Sequence, residues 1–432
     1  MDLNRLLFDI FPMAARSPTA KAGIQPGLYH YLREESGAPT RFHLRVESSG
    51  TGLLLANAAA AARLRPSGVI IAKGILEEED EATVTDRLTA AFGRLAPERI
   101  AADVRQVREL IAALGAPGDN YPILNLADPA FTPEAEPLDR PLSADVPLAG
   151  PPRIEPILQR LWDLAIPHVT LIAGDAPDLG DLVRAVERAG DLGLITGVRA
   201  PGSVLSQGTL IRDLAQAGVD HVDVLYLAAD AGVHDALAGP GDHEQATAAL
   251  AAIQENEVCP VAEIALVEST FECIDQTLAS LASQGVRNAC FYAVAMAAGK
   301  SSGGAVRGDQ LVEAARAVEE AAAEALVRYL WYPPVRFYLG RSLSGLVLRG
   351  PRCSGDAAVR VEPDGSVIPA RGPRHAAGNL LTDSWERIRR SRTYRKYRRR
   401  VETDTHCDRC PGLAICAADC PRDPAGWAEG GG

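Results

Sequence analysis

HVTLIAGDAPDLGDLVRAVERAGDLGLITG, residues 168–197, sets the pattern from which the fold is read. A short apolar run, His168–Ala173, gives way to helical spacing across Asp178–Leu192 and then to a second apolar run, Gly193–Gly197. The pattern continues in both directions. Ile154–Ala165, Leu205–Ala217, His243–Asn256 and Phe271–Gln284 read as helices, with strand-like runs at His221–Ala228, Val258–Val267 and Arg287–Val294. Such alternation predicts successive βα units with parallel strands and right-handed crossovers. The units are uniform in length and no Gly-x-Gly-x-x-Gly follows a strand, which favours a closed or partly closed barrel over an open doubly wound sheet. In either arrangement the site forms beyond the carboxyl ends of the strands. The candidates there are Gly174-Asp175-Ala176-Pro177, Val198-Arg199, Ala229-Asp230 and Met296–Gly299.

Upstream, residues 1–26 read as an extension, and a small domain is expected over 27–115. Phe42, Leu44 and Val46 alternate with polar residues, Ser48-Ser49-Gly50 turns, and Gly52–Leu55 resumes an apolar run, which is a hairpin signal. Helices are expected from Pro66, across Glu78–Phe92 and across Pro97–Leu114, the last with a stripe of Val104, Val107, Leu110 and Ile111. A hairpin followed by three helices suggests a winged-helix-like module, whose exposed strand edge could accept an extended peptide. Proline and glycine crowd residues 116–152, read as a linker. The barrel is expected over 153–330 and a last, cysteine-rich domain over 331–432.

That last domain holds Cys353 and then Cys407, Cys410, Cys416 and Cys420; the first 258 residues contain no cysteine. Two thiolates separated by two residues can chelate one ion or cluster, and two more complete a four-sulfur shell. Iron–sulfur is favoured over zinc, although four thiolates suit both. Just before it, Arg387–Arg400 carries nine Arg or Lys in fourteen residues, read as the solvated face of a helix rather than a contact for an acidic partner or an RNA. The net charge of −12 argues against a general nucleic-acid binder. The first residues, MDLNRLLFDIFPMAARS, lack the long apolar core and cleavage site expected of a secretory signal, and no run approaches about 20 apolar residues. Cytoplasmic residence is expected, where clustered cysteines serve as ligands more often than as disulfides. Asp175, Asp230, His234 and Asp235 could form an acid–base group if their loops converge, but loop carboxylates more often cap helices. Asp242-His243 reads as a helix start, and His406 as a neighbour of the metal rather than a ligand.

The order of pieces resembles peptide-modifying radical S-adenosylmethionine enzymes with a C-terminal SPASM domain. Cys353-Ser354-Gly355, then Val361–Val367, then Gly378-Asn379-Leu380, then Cys407-x2-Cys410-x5-Cys416-x3-Cys420 follows the SPASM order. The N-terminal module resembles the PqqD-type peptide recognition element. The middle resembles the family's partial (β/α)6 barrel. Gly174-Asp175-Ala176-Pro177 stands in place of the Gly-Gly-Glu-Pro cofactor loop, Thr196-Gly197-Val198 in place of Thr-Asn-Gly, and Leu225–Asp230 with His234–Gly239 in place of the Ser-Leu-Asp-Gly strand end and its following segment. The resemblance thus implies an α/β chain: a partial TIM-like barrel between a winged-helix-like peptide-binding domain and a SPASM-like metal-binding domain. It also places Gly174, Asp175, Ala176, Pro177 and Asp230 around a cofactor.

Two departures change what the resemblance implies. The defining Cys-x3-Cys-x2-Cys loop should fall in Leu142–Pro152, which has no cysteine. Without those thiolates no iron is left open to reduce S-adenosylmethionine, and the loop that would hold it has lost a glycine and a glutamate. Cys259, Cys273 and Cys290 read as core thiols rather than substitutes. The auxiliary ligand set is also reduced, which leaves one [4Fe–4S] cluster, or zinc, on Cys407, Cys410, Cys416 and either Cys420 or Cys353. The implied role is noncatalytic: binding a substrate or leader peptide, or an active radical enzyme or redox partner. The alternatives are an enzyme that uses S-adenosylmethionine or another ligand without radical initiation, and an iron–sulfur electron-transfer module.

Overall fold

The structure, a computed structural model, describes residues 17–35, 38–57, 60–115, 140–148, 151–174, 177–296, 303–308, 310–332, 335–337, 340, 342–350, 358–369 and 375–394. The chain divides into two compact units, Met1–Asn120 and Tyr121–Gly432.

In the first unit β1 (Gly27–Glu35), β2 (Ala38–Val46), β3 (Gly52–Ala56) and β4 (Ala60–Leu64) pair antiparallel in sequence order. The expected hairpin is the β2–β3 pair, with Val46 opposite Gly52. Its turn uses Gly50 at φ +88°, a conformation costly for other residues. The flanking strands were not anticipated. β4 reads Ala-Ala-Ala-Arg-Leu, good helix-forming residues, and its pairing with β3 overrides that preference. Three helices follow where the sequence placed them: Pro66–Leu76, Glu81–Phe92 and Pro97–Gly115. The first starts on a proline, where no N–H is needed. In the second, the Asp80 carboxylate accepts the Thr83 N–H at 2.7 Å. Phe42, Leu44, Val46 and Leu54 from the sheet pack with Val69, Ile70, Leu88, Val104 and Ile111 from the helices into one core.

The second unit is built on six parallel strands: β5 (Ser143–Pro147), β6 (His168–Ile172), β7 (Ile195–Ala200), β8 (His221–Leu225), β9 (Cys259–Leu266) and β10 (Asn288–Met296). Their spatial order equals their chain order, with no reversal of the kind that defines a doubly wound sheet. Helices including Pro151–Asp163, Leu179–Leu192, Asp242–Glu255, Ile274–Ser283 and Leu311–Ala325 return the chain between or after strands. The two ends of this set have other partners. β10 pairs with β11 (Val306–Arg307), β12 (Arg328–Trp331) and β13 (Val335–Arg336), while β5 pairs in parallel with β14 (Ala358–Val361). β14 continues antiparallel to β15 (Ser366–Pro369), which pairs with β16 (Gly378–Asn379). The result is a partial (β/α)6 barrel with its sheet extended at both ends.

β5 lies inside the stretch read as linker. Its sequence, Ser-Ala-Asp-Val-Pro, has poor strand composition, and yet its first four residues are buried. β7 starts later than expected because Gly193 closes the preceding helix in the left-handed region, φ 84°, and it continues through Gly197 to Ala200. The short helix Ala231–Ala238 had no counterpart in the sequence pattern. Among the described residues, no helix is long and apolar enough to cross a membrane.

Candidate functional site

Register places charge inside the barrel. Arg199 on β7 lies opposite Asp223 on β8, and Leu225 of β8 lies opposite Glu263 on β9. Asp145 comes from β5. Arg199 is 6% exposed, and a guanidinium so deeply buried persists only with partners. It has four. Nη1 donates to Asp145 Oδ2 at 3.1 Å and Nη2 to the Tyr332 hydroxyl at 3.2 Å. Nε pairs with Glu263 Oε2 at 2.6 Å, and Nη2 faces Asp223 Oδ2 at 3.6 Å.

These neighbours set the proton affinities. Burial alone would lower Arg199, but the carboxylates of Glu263, Asp145 and Asp223 outweigh it and hold the guanidinium well above its ordinary range. Glu263 is pushed up to about 7 by burial, with Arg199 opposing and the charges of Asp223 and Asp145 reinforcing the rise. Burial would also raise Asp223, but His221 and Arg199 reverse this and hold it low.

A second chain of contacts leads away from Asp223. The His221 Nδ1–H donates to Asp223 Oδ1 at 2.8 Å, which leaves His221 Nε2 to accept from His168 Nε2 at 2.9 Å. His168 is depressed to about 3, chiefly by burial and then by His221. Gly197 makes room for this pair: a Cβ there would sit 2.2 Å from His221 Cε1.

Above the charged layer, the carboxyl ends of the strands open into a cavity of about 370 Å³. Its lining includes Pro147, Ile172, Gly174, Arg199, Leu225 and Glu263, together with Arg349 and Arg360 from the C-terminal segment. Of the residues expected around a cofactor, Gly174 lines the cavity, and Pro177 stands just before the helix cap Asp178. Asp175 and Ala176 lie outside the described residues. Asp230 accepts the Val233 N–H at 2.9 Å and caps the helix Ala231–Ala238.

The other candidate acid–base groups are likewise engaged. Asp235 accepts the N–H groups of His243 and Gly241, and these bonds hold its carboxyl below the usual carboxylate range. His234 is buried, accepting the Leu227 N–H at Nδ1 and donating from Nε2 to Asp242. Asp242 begins a helix, as the sequence indicated.

Cys353, Cys407, Cys410, Cys416, Cys420 and His406 lie outside the described residues. Of the three described thiols, Cys259 and Cys290 share one small apolar cluster with Val261 and Leu330, and each of the three has its own polar contact. Cys259 receives the Asn288 amide, Cys273 donates toward Ser269 and Thr270 carbonyls, and Cys290 faces the Tyr332 hydroxyl. Burial raises all three above the usual thiol range, the opposite of what a thiolate ligand needs.

Sequence reading missed the charged network and took Arg199 for a loop residue. The signal was a charged residue inside each of three otherwise largely apolar strands: Arg199, Asp223 (with His221 beside it) and Glu263. Parallel strands buried on both faces are near-continuous apolar runs, so a charge within one must have a partner.

No family model matches the sequence, and no curated protein does. The architecture, a six-stranded partial barrel of βα units with a C-terminal sheet extension, is shared with solved structures. SuiB of Streptococcus suis bound to S-adenosylmethionine superimposes with a TM-score of 0.55 and 12% identity, over 92% of this chain and 100% of that one. SuiB bound to its precursor peptide SuiA gives 0.52 and 12%, over 90% and 95%. At this identity the likeness is one of fold.

Proposed function

We propose that this chain binds peptide as a noncatalytic relative of radical S-adenosylmethionine peptide maturases, and carries one auxiliary iron–sulfur centre. The observation that carries the reading is the connection after the first barrel strand. β5 ends at Pro147 and the next helix begins at Pro151, so only Leu148, Ala149 and Gly150 intervene, and none is a cysteine. Residues 142–152 carry no cysteine, so this connection cannot supply the three-thiolate motif that would hold an iron able to reduce a sulfonium. The fold shared with SuiB, a structure of which holds a precursor peptide, supports peptide binding.

The first unit is the proposed recognition module, in winged-helix manner. β1 is a nine-residue edge strand with Leu32 69% exposed, suited to pairing with an extended peptide. The centre is assigned to Cys407, Cys410 and Cys416 with Cys420 or Cys353, and it supplies structural or redox chemistry when bound. Zinc on the same thiolates is the alternative, separated by iron and sulfide analysis after anaerobic purification.

The test has two parts. The cluster-replete chain with dithionite and S-adenosylmethionine is expected to release no 5′-deoxyadenosine; release at turnover would end the noncatalytic reading. A peptide array should show binders that lose affinity on Leu32→Asp, and an array without binders would remove the peptide reading. The cavity beside Gly174 favours one other role, an enzyme using S-adenosylmethionine without radical initiation. Micromolar affinity by calorimetry would support that role instead.

A further inference from the structure

We propose that the cavity at the barrel mouth is a receptor for a carboxylate attached to a small apolar group, with Arg349 and Arg360 as the recognising residues. The argument starts from the ionisable groups of its lining, which are Arg199, Glu263, Arg349 and Arg360. The first two answer each other: Arg199 is already neutralised by Glu263, Asp145 and Asp223. Arg360 pairs through Nε with Glu362 at 2.6 Å, a contact that leaves its two terminal nitrogens unassigned. Arg349, the last residue of the helix Leu343–Arg349, is exposed and has no hydrogen bond or ion pair among the described residues.

The free charge facing the cavity is therefore positive. A guanidinium fork suits a carboxylate better than any other common small anion except phosphate, because two parallel N–H bonds match its two oxygens. The walls decide between those two. Pro147, Leu148, Ile172, Leu225 and Leu348 are apolar, so they match a ligand whose remainder is hydrocarbon. A volume of about 370 Å³ lies at the small end of the range for ligand pockets, enough for one or two residues or a small organic acid. The floor agrees with this polarity. Glu263 on the floor is engaged by Arg199 Nε at 2.6 Å, so its carboxyl is answered within the buried layer rather than offered to a ligand.

The carboxylate could belong to a free organic acid or to the end of a peptide. Only the second source rests on the peptide-binding reading of the first unit. N-acetyl-L-leucine, its amide, and an octapeptide ending in free leucine, each titrated into the full chain by calorimetry at pH 6.5, separate the cases. The acid should bind and the amide should bind at least tenfold more weakly. Arg349→Ala should weaken the acid at least tenfold, Arg349→Glu should abolish binding, and Arg360→Ala should weaken it further in the Arg349→Ala background. Arg390→Ala, an exposed arginine elsewhere in the same unit, should change nothing. Tighter binding of the octapeptide would assign the pocket to a peptide end, and equal or weaker binding to a free acid. Equal affinity for acid and amide, no binding of either, or inorganic phosphate binding more tightly than the acid would overturn the assignment. Peptide capture at β1 is measured separately on the array, so it survives such a failure.

Discussion

Two buried groups of the barrel titrate in opposite senses, and this fixes how stability responds to pH. Glu263 is raised to about 7 from an unfolded value of about 4.3, so between those limits the native chain holds a proton that the unfolded chain has released. Its contribution is complete below about 4.3 and is lost as pH rises through 7. His168 is depressed to about 3 from about 6.5, so its contribution is complete above 6.5 and is lost as pH falls toward 3. Between pH 4.5 and 6.5 the two slopes, each up to about 1.4 kcal/mol per unit, cancel. Urea unfolding of Glu263→Gln should therefore show stability rising with pH across that interval, and His168→Gln should show it falling. Parallel profiles for the two variants would exclude this pair as the source. Gly197 gives a steric counterpart. Its alanine variant should lose about 1–3 kcal/mol through overpacking against His221. Combining it with His221→Ala should recover much of that loss, a coupling that a double-mutant cycle measures.

Local chemistry decided which elements could be read from sequence and which could not. The limits of the helix Leu179–Leu192 were legible, because Asp178 accepts the Asp181 N–H at its start and Gly193 stops it in the left-handed region, whereas the reading from Glu78 ran past the Asp80 cap. The amphipathic helix Pro97–Gly115 was legible from its stripe alone. β4 and β5 were not, because alanine and arginine in one, and aspartate and proline in the other, contradict the strands they form. In β5 the reason is now physical: Asp145 is there to meet Arg199. Asp230 shows the converse, a residue placed near a cofactor by resemblance whose carboxylate caps a helix. Asp230→Asn should preserve stability within a few tenths of a kcal/mol, whereas Asp230→Ala should cost about 1 kcal/mol, since asparagine caps as well as aspartate. Thermal and urea unfolding check both. A loss of ligand affinity in the asparagine variant, with stability intact, would restore the binding role.

At the scale of the molecule, the order of parts could be read but not the way the last part is held. The alternation of β6 to β10 with helices followed from periodicity, whereas nothing in the sequence marked Ala358–Val361 as a partner for β5, because pairing between strands so far apart in the chain leaves no local pattern. That pairing matters for the proposed metal centre. A cysteine-rich segment with few long apolar runs would ordinarily depend on its ligands for order. Here the segment has another anchor. Val359 lies opposite Ala144, and Val359, Val361, Val367, Leu380, Trp385 and Ile388 join the same core as the barrel residues Val146, Leu171 and Val198. Burial of that many apolar side chains, at roughly 1.5–3 kcal/mol each, is enough to hold β14–β16 without a metal. Removing the metal with a strong chelator should therefore leave the amides of Val359 and Val361 as protected from hydrogen exchange as those of β6. Ending the chain at Gly350 should instead strip the core and lower the unfolding temperature of the barrel itself. If chelation exposed Val359 and Val361 to exchange, order in β14 would depend on the thiolates and not on β5.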